Sequence, residues 1–126
     1  MRIRAELARS HQYPEGSHRH AYEFTLPLDD AGRFDQKSHK KGMQLCTVHR
    51  YWEGEGDAVG ELLHIAPAKW VFSYDEDEGE DTLPHFTSRI FREGEYLSVV
   101  SESGTEHALR IVKVEPAPTI AHTKPR

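Results

Sequence analysis

Residues 44–74 read QLCTVHRYWEGEGDAVGELLHIAPAKWVFSY, and this stretch decides the fold. Strand-forming residues crowd 44–52 (QLCTVHRYW) and 58–65 (AVGELLHI), and Glu53-Gly54-Glu55-Gly56-Asp57 supplies the turn between them. Ala66-Pro67-Ala68 makes a second turn. Lys69–Tyr74 then places Trp70, Phe72 and Tyr74 on one face by alternation. No helix-length segment separates these strands, so they lack the crossover that parallel pairing needs and pair antiparallel.

The same pattern extends in both directions. Toward the N-terminus, HAYEFTLPL at 20–28 puts Tyr22, Phe24, Leu26 and Leu28 at period two, with Pro27 marking the strand end. Residues 1–13 alternate at Ile3, Ala5 and Leu7, as a first strand or a loose arm, before Pro14-Glu15-Gly16 breaks the chain. Between 28 and 44 lies the one helical signal. Asp35 caps a short helix over about 36–41, Gly42 ends it, Lys40 and Lys41 suit its last turn, and Phe34 anchors it to the core. Toward the C-terminus, DEDEGED at 75–81 reads as an acidic loop. Strands are expected over 86–92, 95–100 and 106–114, with turns at Glu93-Gly94 and Ser101–Gly104. Pro116-Ala117-Pro118 closes the pattern. The expected fold is mainly β: a small antiparallel barrel or sandwich of six or seven strands with one short helix. It forms a single β-rich domain over 1–115, followed by a flexible tail over 116–126.

Composition narrows the function classes. The chain has 126 residues, 37% hydrophobic and 29% charged, which fits one globular domain with a real core. A lone Cys46 excludes an intramolecular disulfide and the Cys-rich zinc folds. No apolar run approaches the roughly 20 residues of a membrane span, and Arg2, Arg4, Glu6 and Arg9 interrupt any leader-like stretch. A cytoplasmic address without membrane attachment follows as the expectation. Residues 1–50 carry net +3 and residues 51–126 net −8. An overall charge of −5 argues against nucleic acid as a partner, and so does an acidic loop lying within the aromatic segment 70–96.

A diffuse set of aromatic and turn positions runs through residues 22–114: Tyr22-x-Phe24-x-x-Pro27-Leu28, Trp70-x-Phe72-x-Tyr74-Asp75, Phe91-x-x-Gly94-Glu95-Tyr96 and His107-x-x-Arg110-x-Val112-x-Val114. In these the chain resembles an uncharacterised family of small bacterial proteins. That resemblance implies a compact bacterial domain and brings no catalytic residue with it.

Nine histidines pose the chemical question. On a strand, His18 and His20 share a face, and two imidazoles from one face suit a divalent metal. His107 follows the turn at Gly104, downstream of Gly94-Glu95. This order, an His-x-His pair with a nearby Glu and a later Gly-x-x-His, is partly similar to cupin motifs. The resemblance implies His18, His20, His107 and Glu23 as ligands of a divalent transition metal such as Fe, Mn, Ni or Zn. On a regular strand Glu23 faces away from His20, so its ligation needs a bulge. A zinc site from Cys46, His49 and His64 fails on the same alternation rule unless the strand is bulged. The Asp75-x-Asp77-x-Gly79-x-Asp81 run lacks the glycine position and the late Glu of a calcium loop.

Two further features bear on binding. Trp52, Trp70, Phe72, Tyr74, Phe86, Phe91 and Tyr96 either form the core or line a pocket. Arg50, Arg89 and Arg110 lie among apolar strand residues. Any that faces inward needs a carboxylate partner or an anionic ligand, which makes a barrel interior a plausible site for a small acid. There is no P-loop, nucleophile elbow, zinc-protease helix or activated thiol. The sequence therefore reads as a non-enzymatic β domain that binds a small molecule or a protein partner, with homodimerisation through strand edges open to it. The metal-binding arrangement is the alternative.

Overall fold

The computed structural model describes residues 1–40, 46–75 and 79–117. Eight strands form a closed antiparallel barrel in simple chain order: β1 (Arg2–Leu7), β2 (Ser17–Thr25), β3 (Thr47–Trp52), β4 (Gly56–Ala66), β5 (Lys69–Tyr74), β6 (Glu80–Thr82), β7 (Tyr96–Val100) and β8 (Glu106–Glu115). β1 pairs with β8 and so closes the ring. Residues 1–13 thus contain a true strand, whose Ile3 and Ala5 are fully buried.

The count exceeds the expected six or seven strands, and two segments explain the difference. β6 begins within the stretch read as an acidic loop, at Glu80 and Asp81, and escapes a sequence reading because its one inward residue is the charged Asp81 and shows no apolar alternation. Conversely, 86–92 is no strand: His85 takes a left-handed φ of 55°, and Phe86–Ser88 form a single 3-10 turn. Phe86 and Phe91 fold inward there, with ring centroids 5.5 Å apart, and join Phe34 and Trp70 in plugging one end of the barrel. The short helix α1 (Gln36–Lys40) forms at that end. Asp35 caps it by accepting the Lys37 and Ser38 amide hydrogens at 3.1 and 3.3 Å. The expected helix end at Gly42 and the outer part of the tail lie outside the described residues.

An eight-stranded barrel is just wide enough for side chains to fill it or for one small ligand to lodge inside. Here the plugged half is filled by Phe24, Phe72, Leu26, Leu83, Leu97 and Leu109, all buried. Each such side chain stabilises the fold by about 1.5–3 kcal/mol. Gly60 lets β4 and β5 approach: a Cβ there would sit 1.9 Å from the Ser73 carbonyl oxygen. The outer wall is polar along β1 and β2, where Arg4 bonds Glu6 and Glu23 at 2.9 Å each. Among the described residues no helix is long and apolar enough to cross a membrane.

Candidate functional site

The end opposite the aromatic plug is an open mouth, ringed by the β1–β2 loop, the β3–β4 and β7–β8 turns, the end of β5 and the start of β6. Alternation on β3 sends Val48, Arg50 and Trp52 inward and His49 and Tyr51 outward. Arg50 pairs with Tyr22 on one side and with the small Ala58 on the other. Tyr74 and Asp81 reach the same level from β5 and β6.

These four residues form a polar floor beneath the mouth. The Tyr22 and Tyr74 hydroxyls both donate to Asp81 Oδ2, each at 2.7 Å, the short distance of a charge-assisted bond. Burial and the neighbouring Asp81 charge push both phenols well above their ordinary pKa, so they remain hydrogen-bond donors. Arg50 is held differently. Its Nη1 lies 3.6 Å from Asp81 Oδ2 and its Nη2 3.9 Å from Glu55 Oε1, both beyond hydrogen-bond length. Its guanidinium carbon sits 4.7 Å above the Tyr74 ring. Nε is buried and has no hydrogen-bond partner among the described residues. The cation is thus fixed by charge and ring contacts, with its Nη groups in ion-pair range of carboxylates but beyond hydrogen-bond length of them.

Above this floor opens a cavity of about 540 Å³. Tyr22, Arg50, Trp52, Asp81, Thr105 and His107 line it, with Glu55, Glu80 and Glu102 at its margin. Glu102 is tied into the rim by accepting the Glu80 amide hydrogen at 2.9 Å. Trp52 stands at the centre of an aromatic group, 4.7 Å from His20, 4.9 Å from His107 and 5.9 Å from Tyr22 between ring centroids.

The sequence-predicted metal ligands do not converge. His20 is buried and faces inward, with Ser17 Oγ 2.8 Å from its Nδ1 and the Tyr13 hydroxyl 3.4 Å from its Nε2. Both nitrogens are therefore engaged, one by the start of β2 and the other by Tyr13 of the β1–β2 loop. His18 is exposed and lines a surface groove with Tyr96 and Arg110. The reason is a register shift: Glu6 pairs with Ala21 but Leu7 with Ser17, so alternation does not carry from His20 back to His18. His107 packs on Trp52. Glu23 faces the outside, bonded to Arg4 at 2.9 Å and to the Tyr51 hydroxyl at 3.3 Å. Burial raises its pKa, but Arg4 and Arg2 outweigh this and hold the carboxyl below its ordinary range. Among the described residues no three His, Cys, Asp or Glu side chains are grouped so as to hold a metal ion.

His49 and His64 also stay apart. His49 stacks on Tyr51 and His64 on Trp70, each at 4.0 Å. Of the three strand-region arginines flagged by sequence, Arg50 enters the cavity. Arg110 is exposed, and the buried Nε of Arg89 belongs to the segment after the 3-10 turn. Asp81 is the residue that sequence reasoning missed. No apolar alternation marks it in the sequence; it is the structure that buries Asp81 and Leu83, with Thr82 between them half-buried.

The geometry offers a fixed cation, an adjacent carboxylate and an aromatic wall. Compared with known proteins, the chain matches no family model, no curated protein and no solved structure.

Proposed function

We propose that the protein is a non-enzymatic, cytoplasmic binding domain that takes a small carboxylate-bearing molecule into the mouth of its barrel. The observation that carries this reading is Arg50: a guanidinium with 14% side-chain exposure, lining a cavity, whose Nη groups stand 3.6 and 3.9 Å from the nearest carboxylate oxygens among the described residues. Nε is closed off within the wall, so a ligand carboxylate would pair with the two Nη groups, in the bidentate geometry that arginine favours.

The acidic margin opposes an anion, but the two effects differ in strength. Glu55 is 60% exposed, so its repulsion acts through water and is screened by salt. Arg50 and Asp81 both sit in the wall, where charge is less screened, and the two tyrosine hydroxyls that donate to Asp81 offset part of its repulsion. Added salt should therefore help a simple carboxylate reach the site.

The test uses propionate as the probe. Chemical-shift titration should perturb the Trp52 indole, and Arg50→Met should weaken binding about tenfold or more, the loss expected for charge-assisted hydrogen bonds. Equal affinity in wild type and a folded Arg50→Met protein would sink this reading.

A further inference from the structure

A second cavity, of about 460 Å³, opens beside the first. It lies between the β1–β2 loop and the start of β8, and it shares Trp52, Thr105 and His107 with the mouth cavity. Leu7, Ala8 and Ala108 contribute apolar surface. Its aromatic residues form a continuous chain: Tyr13 to His20 at 4.9 Å, His20 to Trp52 at 4.7 Å and Trp52 to His107 at 4.9 Å. His20 has both nitrogens occupied by Ser17 and Tyr13, so what it has left to offer a ligand is ring surface.

We propose that this annex receives a flat apolar ring of the same ligand, so that the barrel selects arylalkanoates: a carboxylate on Arg50 joined by a short chain to an aromatic ring beside Trp52. The inference rests on the carboxylate reading of the mouth. Arg50 and Trp52 are two residues apart on one strand face, a spacing of about 7 Å. That is the span of a carboxylate and a phenyl ring linked by two methylenes. Aromatic rings favour edge and offset contacts over apolar surface, and the edge-on contacts of Trp52 with His20 and His107 show that packing already in use.

The experiment compares propionate, 3-phenylpropionate and the neutral 3-phenylpropanol by calorimetric titration of the full chain. Wild type should bind 3-phenylpropionate about tenfold or more tightly than propionate, as burial of a ring predicts. Ala108→Trp, at an exposed position lining the annex, should abolish that preference and leave propionate binding unchanged. A ring advantage below about threefold overturns the inference. So does a preference that survives in Ala108→Trp. If 3-phenylpropanol binds as tightly as the acid in both wild type and Arg50→Met, the carboxylate reading fails while the ring site stands. If propionate binds through Arg50 without any ring preference, the mouth reading stands and the annex fails. Thermal melting of each variant confirms that it is folded.

Discussion

Replacing Asp81 with alanine removes the one carboxylate that organises the floor of the mouth. Two buried hydroxyls then lose their acceptor, and each unsatisfied donor costs about 1–3 kcal/mol. Arg50 also loses the nearer of its two carboxylate neighbours, 3.6 Å away, while remaining largely enclosed. Breaking a buried pair from one side typically costs about 3–5 kcal/mol, because the surviving charge stays desolvated. The cavity above admits some water to these groups, so the lower part of that range, about 3 kcal/mol, is expected for Asp81→Ala. Arg50→Met is gentler. It leaves Asp81 with both tyrosine bonds and should cost about 1–2 kcal/mol. The double variant holds no stranded cation. Its loss should therefore fall short of the sum of the two single losses by about 1 kcal/mol or more, the mark of coupled neighbours. Urea unfolding followed by tryptophan fluorescence measures all three, with the slope m checked for constancy. Against a total stability of about 5–15 kcal/mol these changes are large. Additivity within about 0.5 kcal/mol would refute the claim that Arg50 and Asp81 act as a pair. An Asp81→Ala cost under about 1 kcal/mol would refute the claim that the floor depends on this carboxylate.

Two other outcomes follow from the packing. Tyr22 and Tyr74 hold their protons in the fold far above the ordinary value of 10.0, whereas the unfolded chain releases them near it. Their stabilisation is complete below pH 10 and is lost as pH rises above it, at about 2.7 kcal/mol per pH unit for the two together. The Cys46 thiol, pushed by burial from 9.0 up to about 11, begins the loss one unit earlier. Urea midpoints measured from pH 8 to 11 should show this decline, and Tyr22→Phe/Tyr74→Phe should flatten it; an unchanged slope in the double variant would count against the buried-phenol account. At Gly60, an added Cβ collides with the Ser73 carbonyl oxygen of the neighbouring strand. Gly60→Ala should therefore cost about 1–3 kcal/mol as β4 shifts. A melting temperature unaltered by that substitution would contradict the close approach.

The β class and antiparallel order were legible from residues 44–74 alone, because apolar alternation with turn residues leaves no other economical folding. The helix cap at Asp35 was legible too, since capping is decided within three residues of chain. The polar floor was half legible. Arg50 stood out as a cation among apolar strand residues that would need a carboxylate if inward-facing, and its partner lay in a stretch that charge alone marks as loop. The histidine arrangement misled for a local reason: the period-two argument assumes an unbroken strand, and the shift at Glu6/Leu7 breaks it between His18 and His20.

What the sequence determined by itself is therefore what short-range pattern encodes: strands, turns, the helix cap and which residues seek burial. Only the tertiary structure decided the rest. Closure of β1 on β8 requires the first and last strands to meet, and His85 with its left-handed backbone turns an apolar segment from a strand into a plug. Asp81 becomes a core residue because Tyr22 lies 59 positions away in sequence and 2.7 Å away in space. Interactions of that kind depend on registers summed around the whole barrel, and no local window of residues contains them.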